Sequence, residues 1–293
     1  MRGPYSLALH LQKTAFPVTA PSSIPFASLG IIAGNGTYPF ALAKAARAAG
    51  VARIVAAAFE NETDPALADL VDEIEWMRVG QLGRLIKTFS SRKVAHAIMA
   101  GQIAPDNLFD LRPDLKAFLV LAKLRERNAE TIFGAIGEEL AKAGVQLLPA
   151  TTFLEEHLAG AGVFAGPRLS RREESDVRFG FGIAKEVSRL DIGQTVVVKG
   201  GTVLAVEGFD GTNATIGRGG KLGNGGAVVV KVSKPNQDFR FDVPVIGPAT
   251  LETAAEAQIR VIAVEAGRTL LMERERIAEM AGRLKISLYG IEP

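Results

Sequence analysis

The chain has no cysteine, three histidines and one tryptophan among its 293 residues. Without cysteine there is no disulfide framework, no thiolate zinc site and no thiol nucleophile, which fits a reducing compartment. His10, His96 and His157 are scattered, so a histidine-rich zinc centre is not expected. A catalytic metal would then rest on oxygen ligands, the donor set of Mg²⁺ or Mn²⁺. No apolar run is long enough to span a bilayer. The net charge is only +2, too small for a nucleic-acid footprint.

What is present is ordinary globular composition, 47% hydrophobic and 23% charged, which argues against disorder. The length predicts two domains. Residues 1–28 carry Pro4, Pro17, Pro21 and Pro25 with little periodicity. They read as an N-terminal extension, a loose tail rather than a secretory signal.

From residue 29 onward the pattern alternates. Buried-strand runs are expected at 29–33, 52–58, 73–77 and 94–100, with a short last strand at 145–148. Helices are expected at 39–49, 82–89, 113–124 and 129–143. This alternation predicts an α/β fold with a parallel sheet covered on both faces, closing near Gly160. Residues 160–175, rich in glycine and arginine, read as a linker. Beyond it the sequence predicts a helix over 176–190 and a hairpin of 195–199 with 203–206 around Gly200-Gly201. A helical turn at 214–218 and a flexible glycine loop at 219–226 should follow. Strands at 228–232, 261–264 and 287–289 and helices at 250–257 and 274–283 complete an α/β second half. The predicted division is 1–28, 29–160 and 161–293.

Several segments carry chemistry. A strand feeding Gly34-Asn35-Gly36 and then a helix exposes backbone N–H groups at a positive dipole end. That turn fits either contact with a nucleotide or sugar phosphate, or a purely structural tight turn. As a dinucleotide fingerprint it is partial: Pro39 stands where the third glycine belongs, although Glu60 has the spacing of the ribose-binding acid. Gly101 and Gln102, at the end of another parallel strand, would line the same crevice. In the second half, Glu207, Asp210 and Asp242 lie at predicted strand ends, either as solvated surface acids or as groups for hydrolytic work. The proline-bracketed segment 234–244 contains Lys234 and Arg240, both suited to pairing with phosphate. Basic residues Arg112, Lys116, Lys123, Arg125, Arg127, Arg168, Arg171 and Arg172 suit solvated helix faces or an anionic lipid surface.

In combination and order, four segments resemble the LpxI family of UDP-2,3-diacylglucosamine pyrophosphatases. They are Leu29–Gly36, Arg189–Gln194 (RLDIGQ), Leu204–Thr212 and Arg240–Gly247, followed by Glu265-Ala266-Gly267-Arg268. The resemblance implies a Rossmann-like first domain, a less common α/β second domain and a lipid substrate between them. It implies Mg²⁺-dependent hydrolysis to UMP and 2,3-diacylglucosamine 1-phosphate. The family's essential aspartate maps onto Asp242, as metal ligand or water activator, with Asp210 and Glu207 as further metal ligands. Substrate contacts would fall on Gly34, Asn35, Gly36, Gly101, Gln102, Asp191, Gln194, Thr212, Lys234, Gln237 and Arg240. A cytoplasmic homodimer, in peripheral contact with the inner membrane at most, is also implied. Two departures bear on the site. Asp210 and Asn213 stand where the family has Glu and Asp, and Arg127-Asn128-Ala129-Glu130 replaces its Lys-Gly-Asp-Asp, which weakens any role for Glu130. The rival readings are a non-catalytic lipid- or sugar-nucleotide-binding protein and an NAD-dependent oxidoreductase.

Overall fold

Hydrophobic runs in the first half fold into a five-stranded sheet. The computed structural model describes residues 27–103, 113–125, 129–235 and 237–292, the side chains of residues 129 and 130 apart. Strands β1 (Ser28–Ala33), β2 (Arg53–Phe59), β3 (Glu73–Met77), β4 (His96–Ala100) and β5 (Gln146–Leu147) lie in the order β3-β2-β1-β4-β5, every pair parallel. Helices α1 (Tyr38–Ala48), α2 (Leu82–Ser90), α3 (Leu115–Lys123) and α4 (Ala129–Lys142) complete this half. Parallel strands buried on both faces read as continuous apolar runs, which is why this half was legible. Leu29, Ile31, Leu42 and Ile54 pack on one face; Ile32, Val55, Phe89 and Leu140 pack on the other. β1 has β2 on one side and β4 on the other. Their C-terminal ends therefore open at the point where strand order reverses, where such sheets bind ligands.

The second half contains β6 (Gly162–Ala165), α5 (Arg171–Arg189), β7 (Thr195–Lys199), β8 (Thr202–Val206), α6 (Gly211–Gly223), β9 (Val228–Lys231), β10 (Val245–Ile246) and α7 (Pro248–Glu256). It continues with β11 (Val261–Glu265), β12 (Leu270–Leu271), α8 (Arg274–Leu284) and β13 (Ser287–Ile291). Six strands form a mixed sheet ordered β6-β13-β11-β9-β7-β8. The middle strands β13, β11 and β9 are parallel, while β6, β7 and β8 run antiparallel to their neighbours. The α/β expectation therefore holds for both halves.

Three local expectations need correction. The stretch read as a linker holds β6 and the first turn of α5, which starts at Arg171 rather than Asp176. A capping box sets that start: Ser170 Oγ accepts from Glu173 N–H, and Glu173 Oε2 accepts from Ser170 N–H. The glycine run read as a flexible loop is largely helix, because α6 continues through Gly223. Its glycines serve close packing. A Cβ at Gly219 would lie 2.4 Å from Val197 Cβ, and one at Gly220 would lie 2.3 Å from Ala257 O. Finally, β10 and β12 form an unexpected parallel pair. Leu270, Met272, Val243 and Val245 join the core around Leu29 and Ile31 and so tie the second half to the first. No helix among the described residues is long and apolar enough to cross a membrane.

Candidate functional site

Two loops meet at the reversal point of the first sheet. Asn35 N–H donates to Gln102 O at 2.8 Å, Gln102 N–H to Asn35 O at 3.3 Å, and Gly34 N–H to Ala100 O at 2.8 Å. Such an approach excludes side chains: a Cβ at Gly34 would fall 2.4 Å from Gln102 O, and one at Gly101 2.5 Å from Asn35 O. Gly101 also holds φ +93°, a conformation that favours glycine. The backbone N–H groups of Gly34 and Asn35, expected to face phosphate, are thus committed to the neighbouring strand end. Gly36 and the start of α1 differ, since Thr37 makes no side-chain cap there. The Asn35 side chain donates from Nδ2 to buried Glu62 Oε2 at 2.8 Å. Glu60, which had the spacing of the ribose acid, is exposed. Glu62 was missed because it lies past the strand end, in a turn that gives no periodic signal.

Segment 237–245 docks beside this crevice. Ala150 N–H donates to Phe239 O at 2.7 Å, and Tyr38 of α1 donates to Ala150 O. Phe133 of α4 and Phe241 stack with ring centroids 5.6 Å apart. Asp242 therefore sits where one end of the second sheet meets the first half.

That sheet end gathers the other groups. Thr195 is the register partner of Lys231 across β7 and β9, and Glu207 N–H donates to Thr195 O at 2.9 Å. Lys231 Nζ, buried, donates to Thr212 Oγ1 at 3.1 Å and Val245 O at 3.2 Å. Thr212 Oγ1 donates to Glu207 Oε1 at 2.9 Å, and Gln194 N–H donates to Glu207 Oε2 at 3.2 Å. Burial pushes the Lys231 ammonium pKa down, against the pull of the Glu207 and Asp242 charges. Burial likewise pushes the Asp242 carboxyl up, opposed by Lys234, Gln237 and Lys231 and reinforced by Asp191. The Gln237 side chain helps hold the Asp242 carboxyl down, yet its Nε2 makes no hydrogen bond among the described residues. Gln237 Nε2 and Gln194 Oε1 are buried without a partner among the described residues. Unsatisfied buried polar atoms of this kind call for an explanation.

Other expected contacts are occupied by protein. Lys234 pairs with Asp191. Its N–H also donates to Gln237 Oε1 at 2.7 Å. Arg240 is clamped by Asp238 at 2.5 Å and lies over the Phe241 ring at 5.9 Å. Lys116 pairs with Glu139 at 2.5 Å, whereas Lys123, Arg125, Arg168, Arg171 and Arg172 are exposed. Arg112, Arg127 and the side chain of Glu130 fall outside the described residues.

Sequence reading also underrated two groups. Buried Glu265 accepts from Ser233 N–H at 2.8 Å, from Ser233 Oγ at 2.7 Å and from Lys185 Nζ at 3.1 Å. Arg268 approaches it at 3.6 Å and lies over Phe239 at 5.5 Å. This buried cluster anchors the turn that leads to Lys234 and Asp242. Lys231 went unremarked inside the apolar run 228–232, although a charged residue in a buried strand is itself a signal.

The three expected metal carboxylates do not converge. Asp210 accepts from Arg218 at 2.6 Å and from Gly208 N–H at 3.1 Å, contacts that hold its carboxyl below the usual range. Among the described residues no three His, Cys, Asp or Glu side chains gather where they could share an ion. The donors around Asp242 nonetheless fit Mg²⁺ in its usual protein setting, one or two carboxylates with substrate phosphate oxygens and water. Asp242 offers such a carboxylate.

Against known proteins, residues 28–157 match the family profile "LpxI N-terminal domain" and residues 160–289 match "LpxI C-terminal domain". The UDP-2,3-diacylglucosamine pyrophosphatase LpxI of Caulobacter vibrioides is 30% identical over 276 residues, 90% of this chain and 98% of that protein. Among solved structures, the phosphoribosylglycinamide synthetase of Anaerococcus prevotii is 14% identical and covers 64% of this chain and 42% of its own, with a TM-score of 0.25. Matched along both halves by the two profiles, and over nearly the whole length of the Caulobacter protein, this chain belongs to the LpxI family.

Proposed function

We propose that the chain hydrolyses the pyrophosphate of UDP-2,3-diacylglucosamine to UMP and 2,3-diacylglucosamine 1-phosphate, a step of lipid A biosynthesis. The observation that carries the reading is the full-length match to the Caulobacter pyrophosphatase. It is supported by buried Lys231 and Gln237 and half-buried Asp242 at the junction of the two halves.

In this reading a water molecule attacks one phosphorus, the bridging P–O bond breaks, and the departing phosphate keeps the bonding electrons. Asp242 accepts a hydrogen bond from the attacking water and orients it. Gln237 donates to phosphate oxygens in a site of low dielectric, where fixed donors count most. Gly36 and the uncapped start of α1 face negative charge, and Asn35, Gly101 and Gln102 line the crevice. Lys234 and Arg240 exchange their carboxylate partners for phosphate. Asp191, Gln194 and Thr212 act as supports for those donors. Bound Mg²⁺, held by Asp242, would neutralise phosphate charge and lower the pKa of coordinated water. The same reading includes a cytoplasmic homodimer with peripheral membrane contact. Exposed Leu115, Phe118 and Leu119 on α3 support that contact. Dinucleotide chemistry has weaker support, because Pro39 occupies the first turn of α1 and Glu60 is exposed.

The test is UMP release from UDP-2,3-diacylglucosamine, with and without Mg²⁺, by wild type and Asp242→Ala. Metal-dependent release that collapses in the variant supports the reading. Binding of the substrate without release by folded wild type, in Mg²⁺ and in Mn²⁺, sinks it in favour of a binding protein.

A further inference from the structure

We propose that Lys231 is a catalytic residue of this hydrolysis, its ammonium group binding the phosphate oxygens at the scissile anhydride while Thr212 and Glu207 position it. The proposal rests on the hydrolase reading above and assigns a residue that the motifs left out.

A buried ammonium ordinarily has a carboxylate against it. Lys231 does not: among the described residues no carboxylate oxygen lies within 4.0 Å of its Nζ, and its acceptors are two neutral oxygens, Thr212 Oγ1 and Val245 O. Three N–H donors thus share two acceptors. Gln237 Nε2 is a second buried donor without an acceptor, on the segment that carries Asp242. At Lys231 and Gln237 the unmet groups are donors, although Gln194 Oε1 nearby in the fold is an unmet acceptor, and a ligand that satisfies these two donors carries several anionic oxygens.

Glu207 then takes a different role from the metal ligand expected of it. Both its oxygens are engaged, Oε1 by Thr212 and Oε2 by Gln194 N–H. Because Thr212 spends its only hydroxyl proton on Glu207, its oxygen is left to accept from Lys231. The ammonium is thereby aimed by a neutral atom and balanced at one remove by Glu207, and its charge stays available to phosphate. In the reaction the water oxygen bonds to phosphorus, the bridging P–O bond breaks, the leaving phosphate takes the electron pair, and the water proton passes to solvent. Lys231 keeps its proton throughout.

The experiment compares full-length wild type, Lys231→Met, Lys231→Gln and Thr212→Val in Mg²⁺-dependent UMP release, with calorimetric binding of inorganic pyrophosphate as a readout that needs no turnover. The Lys231 variants should lose kcat by about 100–1000-fold and raise KM by about tenfold, in step with the lost pyrophosphate binding. They should bind pyrophosphate at least about tenfold more weakly while melting no lower than wild type. Thr212→Val, which keeps the charge but not its aim, should lower kcat by about tenfold at unchanged KM. A folded Lys231 variant with kcat within about fivefold of wild type overturns the proposal. Should neither Lys231 variant fold, an unchanged kcat in Thr212→Val overturns it. Wild type that binds pyrophosphate but releases no UMP refutes the hydrolase reading alone. Lys231 is then judged by pyrophosphate: unaltered binding in its variants refutes it as well, and wild type that neither binds pyrophosphate nor releases UMP refutes both readings.

Discussion

Among the described residues, Lys231 meets a carboxylate only through Thr212, whose hydroxyl accepts from the ammonium at 3.1 Å and donates to Glu207 at 2.9 Å. Removing that hydroxyl leaves a buried donor and a buried acceptor short of partners. Thr212→Val, close in shape, should therefore cost about 1–3 kcal/mol of stability, read from the midpoint of urea unfolding. A variant as stable as wild type would mean that other groups satisfy both ends.

Asp242 should trade stability for activity. Burial raises its folded pKa above the unfolded value of about 3.9. Its titration therefore favours the fold below that unfolded value, and the benefit is lost as pH rises through the folded pKa. At neutral pH the ionised group is a net cost. Asp242→Asn should melt about 2–4 °C higher than wild type at pH 7, with the gap closing towards pH 3, and should lose UMP release. Melting curves across that range decide the point, and a variant less stable at pH 7 contradicts it.

Gly101 is required twice over, by φ +93° and by the Asn35 carbonyl 2.5 Å from the place a Cβ would take. Gly101→Ala should destabilise by more than about 1 kcal/mol. It should also push the Asn35–Gln102 loops apart, raising KM for the substrate. Denaturation and steady-state kinetics together test this, and a neutral variant would show that the two loops yield easily.

Gly219 offers a test of sign. In an exposed helix, glycine to alanine stabilises by about 1 kcal/mol. Here a Cβ would press on Val197, a core residue of β7 at 2.4 Å. Gly219→Ala should instead destabilise by about 1–3 kcal/mol, as overpacking does. Increased stability in chemical denaturation would return this segment to the loose loop that its composition describes.

The elements that sequence reading found and those it lost separate along one physical line. β1 to β4 and their helices are built from local patterns, continuous apolar runs and helical spacing, so their places were plain. Helix α6 was legible only over 214–218; its glycine-rich end was lost because those glycines are set by Val197 and Ala257, far along the chain. The pair β10 and β12 was lost because two-residue strands carry no period of their own. Within the site, Asp242, Gln194, Gln237 and Thr212 were legible as members of recognisable segments. Lys231 was visible only as an oddity in a valine strand, and Glu62 was not visible at all.

The sequence alone therefore determined the α/β class, the parallel first sheet and the segments that mark the family. Only the tertiary structure decided which acids work together. It turned Asp210 towards Arg218, bound Glu207 to Thr212 and Gln194, and set half-buried Asp242 within the field of Lys231. Partnership and desolvation depend on distances between residues remote in sequence, and those distances set the charge and reach of each group.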